Sequence, residues 1–481
     1  MRIKGQSAIE FLTAYSTAFL IIAIILAALF AFVSLPFTSL PFSCNPYSDF
    51  TCQDALISSN GTGGTVLLVE LSDGVPGVLN ISAFNATLNG IKSKKGYCAP
   101  TLATSGERLY CITTFKGEPQ LGTLYSGTFD IYADFCTGGA ADLTPNCSSG
   151  STYVYGGNIR LQGSSNVSSA SVWEAQIKLT NDQGTATPPD FQQMITFNPM
   201  SANAPSHERH DLGNIRFYYG SQELYAWCES NCSASSAQNA TFWVKIPQGI
   251  PARQSTTIQM YLMPTSVGYS GTYEGEAPQL SSPYGAYDNG DEVFAFYQNF
   301  QGTSIPYGWT ESGSGISVSV DNGITVSPAG SSASGNLTSS VRYNGTLDFY
   351  GGFSGSGSCP YNTAHLGYDN ASVGYSGCPN GFSLITNNSL GGAAKSDAAY
   401  SGSSNAIFTV TYDSAGAYNA LVGYGSAISS NSFISKLPLP IGFYQQSGSG
   451  VTISAAWIRV RETPPNGAMP SQTVGALSQL R

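Results

Sequence analysis

The sequence predicts a mostly β protein, with an amino-terminal hydrophobic α-helix followed by tandem antiparallel β-sandwich and jelly-roll domains. Three observations carry this. From Phe11 to Val33 no residue is charged, and at about 1.5 Å per residue that run makes a helix of roughly 35 Å, enough to cross a bilayer. After residue 40 the apolar runs are short, alternate with period two and are punctuated by Gly, Pro and Asn, the pattern of stacked antiparallel sheets. Finally, 481 residues exceed one ordinary core, so two or three domains are expected after the helix.

Residues 1–5 form a short basic leader in which Arg2 and Lys4 precede Gly5. Basic residues stay cytoplasmic, so the rest of the chain is placed outside, as a single-pass protein of the cell membrane or cell surface. In a secretory signal a small-residue cleavage site follows the apolar core. Here the run ends in Leu35-Pro36-Phe37, and the small and polar residues come before it. The segment Lys4-Gly5-Gln6-Ser7-Ala8-Ile9-Glu10-Phe11-Leu12 resembles the archaeal class III signal peptide of type IV pilin-like proteins. Ser7 and Ala8 stand in reversed order, and Leu12 comes only two residues after Glu10. The resemblance implies a prepilin-peptidase-like cut between Gly5 and Gln6, with the helix 6–35 retained. It also implies that Glu10 meets the amino terminus of a neighbouring subunit. Without the resemblance, Glu10 is a headgroup-level acid capping a plain anchor.

Residues 36–160 read as a small disulfide-stapled β-domain. Pro36 and Pro41 end the helix. Thr65–Leu71, Val78–Phe84 and Gly127–Phe135 have the composition and alternation of strands. The ten cysteines fall in local pairs: Cys44 and Cys52, Cys98 and Cys111, Cys136 and Cys147, Cys228 and Cys232, Cys359 and Cys378. An even count in an exported chain points to disulfides. Connectivity stays open, neighbour pairing being the simplest arrangement. No Cys-x-x-Cys occurs, so a metal site is not expected.

Residues 165–285 form the next unit. Asn214–Glu229, Ala240–Pro247 and Thr257–Leu262 contain Ile-Arg-Phe, Trp-Val-Lys-Ile-Pro and Thr-Ile-Gln-Met-Tyr strands. They resemble the domain of unknown function 2341, a β-sandwich module of prokaryotic surface proteins. Ala226 is inserted before Trp227, and Tyr261-Leu-Met-Pro lacks that family's Gly-Asn turn. From the residues alone, Phe217, Leu224, Trp227, Trp243, Val244, Ile246, Ile258, Met260 and Leu262 are core candidates. Arg216, Glu223, Glu229 and Lys245 are ion-pair partners across strands rather than catalysts.

Residues 286–481 form the last unit. Asp288–Phe300 and Ile305–Trp309 resemble the opening of a concanavalin A-like (lectin or glucanase) jelly roll, and Val451–Arg461 resembles its closing strand. First and last strands of such sandwiches pair, and the Gly-, Ser-, Asn- and Tyr-rich tract between them suits strands carrying small residues.

Chemistry-bearing residues are sparse. Histidine occurs three times, as His207, His210 and His365. The His207-Glu208-Arg209-His210 spacing matches no standard metal site, and no cofactor is implied. A jelly-roll glycosidase needs paired acids. Glu311, Asp321, Asp348, Asp369, Asp397 and Asp413 show no such spacing, so an enzyme is not expected. Aromatic faces with amides suit glycan binding. Only 10% of residues are charged, the net charge is −10, and no basic patch occurs, which argues against nucleic acid. Sequons begin at Asn60, Asn80, Asn85, Asn146, Asn166, Asn231, Asn239, Asn336, Asn344, Asn370 and Asn387, candidate glycosylation sites outside the cell.

The expectation is an archaeal surface protein held in a membrane or filament, either an adhesin or a minor pilin-like subunit. Its partners would be membrane, pilin-like subunits, a prepilin peptidase and glycans. The alternatives are an anchored glycan-degrading hydrolase and a purely structural surface-layer protein. Two acids facing across the jelly-roll groove would favour the hydrolase, and an aromatic face without them would favour binding.

Overall fold

The computed structural model describes residues 43–47, 49–60, 63–137, 146–147, 152–167, 171–200, 207–330, 334–355, 363–369, 371–377, 380–386, 389–395, 405–412, 418–424, 429–431, 437–445 and 450–480. The leader (Gly5, Gln6), Glu10 and the apolar segment lie outside these residues, as do Cys359, Cys378, Asn370, Asn387, Asp397 and Asp413. Among the described residues no helix is long and apolar enough to cross a membrane. The fold is mostly β, in several sheets.

In the amino-terminal unit, Val78–Leu88, Leu124–Thr137 and Tyr153–Val167 form one antiparallel array. Phe50–Ser59, Gly64–Asp73 and Arg108–Lys116 form another, joined to the first through Gly163 and Val167. Alternation turns Leu67, Val69, Leu71, Phe84, Phe129 and Ile131 into one shared core. Disulfides join Cys44 to Cys52, Cys98 to Cys111 and Cys136 to Cys147 here, and Cys228 to Cys232 in the next unit.

The middle unit is a two-sheet sandwich. Ile215–Tyr219, Gln254–Leu262 and Trp173–Asn181 form one sheet, and Phe191–Phe197, Ala240–Ile246 and Ala226–Ser230 the other. Its core holds Phe217, Leu224, Val244, Ile246, Ile258, Met260 and Leu262. Trp227 and Trp243 are buried but lie elsewhere, in a cluster with Phe294 and Trp457. The reason is the two-residue period. Ala226 and Cys228 face the sandwich core, as do Phe242 and Val244, so the intervening tryptophans face the next domain.

That domain is a jelly roll whose two sheets enclose Leu347, Phe349, Leu366, Phe408, Ile441, Phe443 and Ile453. Phe296–Gln298 pairs with Val451–Arg461 as first and last strand. Residues Gly290–Val293, read from sequence as part of the opening strand, form a short helix instead. The unit drawn at 286–481 also gives up its end. Ser471–Val474 and Ser478–Gln479 pair with Trp173–Asn181 of the middle sandwich. The jelly roll is thus inserted into the sandwich and joined to it by two chain connections.

The joint between them is built on Arg459, which is fully buried. Its guanidinium lies 4.4 Å from the Trp243 ring centre, 4.5 Å from Phe294 and 4.8 Å from Trp457, an aromatic box for a cation. Its Nε donates to Asp348 Oδ2 at 3.0 Å and its Nη2 to Glu229 Oε2 at 2.5 Å. Burial alone would raise the Asp348 carboxyl, but Arg461 and Arg459 outweigh it and hold it below the ordinary carboxylate range. Glu229 also accepts from Trp243 Nε1 and the Tyr424 hydroxyl.

The amino-terminal unit docks on the other side of the sandwich. Val66, Leu68, Tyr110 and Ile112 meet Tyr218, Tyr261 and Met263. Beside this apolar contact, Arg216 donates to Glu274 at 2.9 Å and lies 3.6 Å from Glu223. The Glu223 carboxyl is pushed well above its ordinary range, by burial first and then by Glu274.

Candidate ligand-binding face

The jelly-roll sheet turned away from the Arg459 joint contains Trp309–Ser312, Gly335–Tyr343, Leu439–Gln445, Thr363–Tyr368 and Ala371–Gly377. Leu337, Ile441, Phe443, Ala364, Leu366 and Val373 point inward, so the residues between them form the other face of the sheet, buried at its centre and opening to solvent toward Asn336, Thr338, Thr310 and Ser312. Register sets Ser312, Asn336, Tyr444, His365 and Gly374 in one row across it. Thr310, Thr338, Gly442, Gly367 and Ser372 form the next row.

Tyr444 and His365 stack with ring centres 4.7 Å apart and planes 13° from parallel. His365 Nδ1 lies 2.6 Å from Ser372 Oγ, and both residues are buried. Burial pushes the imidazole down to about 3, so His365 is neutral at any ordinary pH and serves as ring and hydrogen-bonding group, not as a cation. The Tyr444 hydroxyl finds no partner among the described residues. Burial, and next the charge of Asp369, raise its pKa. Glycine is required at 442: a Cβ there would sit 2.7 Å from Thr338 Cγ2 and 2.8 Å from Tyr444 Cζ. The face is therefore an aromatic stack set among hydroxyls and an amide, over a floor of glycines.

The acids fall elsewhere. Asp348 belongs to the opposite sheet, inside the Arg459 joint. Glu311 is exposed on the strand between Thr310 and Ser312, paired with inward-facing Leu337, and Asp321 is exposed outside this sheet. Asp369, at the end of the face, is the single carboxylate there among the described residues. His207 stacks on Trp173 at 4.1 Å and His210 is solvent-exposed beside Asp211, so the two do not converge. Among the described residues no group of His, Cys, Asp or Glu could hold a metal. Of the sequons, Asn146, Asn239 and Asn344 are exposed; Asn60, Asn80, Asn85, Asn231 and Asn336 are half-buried, and Asn60 and Asn231 are hydrogen-bonded within their turns. The side chain of Asn166 lies outside the described residues.

The His365–Tyr444 stack was not singled out from sequence. The available signal was the period-two alternation of Thr363–Tyr368 and Leu439–Gln445 with glycine at 367 and 442. Which strands are neighbours is a long-range fact that alternation does not carry.

Residues 211–274 match the model of the family described as "Domain of unknown function (DUF2341)". A curated relative, uncharacterized protein 562 of Sulfolobus islandicus rod-shaped virus 1, is 39% identical over 127 residues, which are 26% of this chain and 21% of the relative. The chain thus spans about a fifth of that relative's length. Among solved structures, a glycosyl hydrolase family protein from Mycobacterium fortuitum matches at TM-score 0.26 and 12% identity, over 35% of this chain and 99% of that one. The VIP36 exoplasmic/lumenal domain matches at TM-score 0.25 and 12% identity, over 35% and 93%. The carbohydrate recognition domain of Emp46p matches at 0.23 and 10%, over 32% and 88%. Likeness at this level decides nothing about this chain, whose jelly roll is read from its own strand order.

Proposed function

We propose that the chain is a surface protein, held in a membrane or filament by its amino-terminal apolar segment, whose jelly roll binds glycans. The observation that carries this is the His365–Tyr444 stack beside Ser372, Asn336 and Thr338. Sugar rings present apolar C–H faces to aromatic rings, and their hydroxyls exchange hydrogen bonds with amides and hydroxyls. The stack is neutral; His365, Ser372 and the Tyr444 hydroxyl are buried, so a sugar would meet it through the half-buried Asn336 and Thr338 beside it. The reading is of a binder, not a hydrolase, because glycoside hydrolysis needs two facing carboxyls, whereas among the described residues Asp369, at the end of this face, is its single carboxylate.

The test is binding of the full chain, in detergent, to an array of neutral oligosaccharides. Tyr444→Ala is expected to weaken capture about tenfold, the loss of one aromatic contact; because the ring is buried the variant melts earlier, so capture is compared at a temperature where it is still folded. Equal capture by the variant would remove this face as the site. Release of reducing ends from a captured glycan would replace binding by hydrolysis as the function.

The anchoring half of the proposal adopts the class III resemblance, a minor pilin-like subunit or adhesin matured by a prepilin peptidase. Mass spectrometry of protein taken from its own membranes is expected to find the mature chain starting at Gln6. A start at Met1 or beyond residue 35 would reduce the segment to a plain anchor or a removed signal.

A further inference from the structure

Between the amino-terminal unit and the middle sandwich lies a cleft of about 1020 Å³, lined among others by Asp54, Glu70, Arg108, Glu208, Arg209 and Glu274. It is separate from the jelly-roll face, and nothing above assigns it a role. Its arginines are already committed. Arg216, also on the wall, is spent on Glu274, Gly213 O, Ile215 O and Gly268 O. Arg209 is held by Asp211 at 3.0 Å, and Arg108 lies 3.5 Å from Glu70.

Two of the acids are not fully committed. Glu208 is 7% exposed and Glu274 3% exposed. Glu274 Oε1 takes Arg216 and the Ser270 amide, but its Oε2 has no donor among the described residues, nor has Glu208 Oε2. Buried carboxylate oxygens without donors are costly.

The loop that carries Glu208 is fixed in place. Buried Asn214 accepts from the Arg209 amide at 2.8 Å and donates to His207 O at 2.9 Å. Leu212 takes a left-handed φ of 59°, Asp211 Oδ1 accepts from the Gly213 amide, and the Tyr269 hydroxyl donates to Asp211 O. The backbone that carries Glu208 is thus fixed on the wall of the cleft.

What such a site lacks is hydrogen-bond donors. An ammonium supplies three donors and no acceptor, whereas an anion would meet Asp54, Glu70, Glu208 and Glu274 with every arginine already paired. We infer that this cleft binds a primary ammonium group, with Glu208 and Glu274 as its acceptors. The group could come from a free amine or from a lysine side chain of a protein partner, and the chemistry is the same.

Calorimetric titration of the full chain in detergent at pH 8, above the value of about 7 to which burial lifts Glu208, tests this with three probes: 1,5-diaminopentane, a lysine-centred tetrapeptide and its Nε-acetylated form. Saturable binding of the diamine and the lysine peptide, without binding of the acetylated peptide, is expected. Binding of the peptide alone would also support the site and assign the ammonium to a protein. Glu208→Gln removes the charge but keeps the shape, and is expected to weaken binding about tenfold or more, the loss of a charged hydrogen bond. Asp54→Asn, on the exposed rim, is a second variant that does not touch the Arg216 pair and should weaken binding less. Absence of binding by both amines at millimolar concentration would overturn the inference. So would equal binding of the acetylated peptide, or binding unchanged in Glu208→Gln.

Discussion

Replacing Arg459 by methionine is expected to cost about 3–5 kcal/mol, because it strands buried Glu229 without its cation and leaves buried Asp348 with Arg461 alone. Methionine fills much of the aromatic box, so the loss is electrostatic more than steric. Arg459→Lys should also be damaging. One ammonium cannot donate along both the Asp348 and the Glu229 directions as the planar guanidinium does. The double variant Arg459→Met/Glu229→Gln should recover part of the loss, since it removes the stranded charge while Asp348 keeps Arg461. Guanidinium denaturation followed by tryptophan fluorescence reads all three variants. Trp227, Trp243 and Trp457 surround the substituted side chain, so the signal reports the joint directly. A change below about 1 kcal/mol for Arg459→Met would mean that the joint is not what fastens the jelly roll to the sandwich.

The second large effect is on pH. Burial lifts Asp73 to about 6, Glu107 to about 7 and Glu208 to about 7. Each carboxyl therefore holds its proton more tightly in the folded than in the unfolded chain. The stability this gives is fully present below about pH 4, where both states are protonated. It is lost as pH rises through 6 and 7, because only the unfolded chain releases these protons freely. At roughly 1.4 kcal/mol per pKa unit, each group is worth up to about 3 kcal/mol between those limits. Asp348 acts in the opposite sense, but its depressed carboxyl matters only in stronger acid. The denaturation midpoint should thus be higher at pH 4.5 than at pH 8. Glu107→Gln, which keeps an acceptor for the Glu223 amide, should flatten the difference by raising stability at pH 8. A midpoint equal or higher at pH 8 in the unchanged protein would refute this.

Much of the architecture was legible in the chain because period-two alternation is a local property. Gly127–Phe135, Ile258–Leu262 and Val451–Ala455 each show it without outside help. Alternation names two faces of a strand but does not say which is the core when both are covered. That is why Trp227 and Trp243 were read with the sandwich core, although they line the Arg459 joint. Glu229 was read as an ion-pair member, but its partner lies 230 residues away, and no local pattern announces such a pair. Glu274, which holds Arg216, escaped notice for the same reason. The cleft beside it was equally hidden, since its walls come from five separated stretches of chain. Ser471–Val474 is short and polar, and only the free edge of Trp173–Asn181 gives it a place.

That last strand has a mechanical consequence. A surface domain reached by one linker swivels on it, and any tug on the domain runs through that linker alone. Here the jelly roll is held at two points: the connection after Glu274–Glu276, and the return to Ser471–Val474. Two attachments resist torsion as one cannot. A pull on the jelly roll divides between two chain connections, so neither need carry the whole tension.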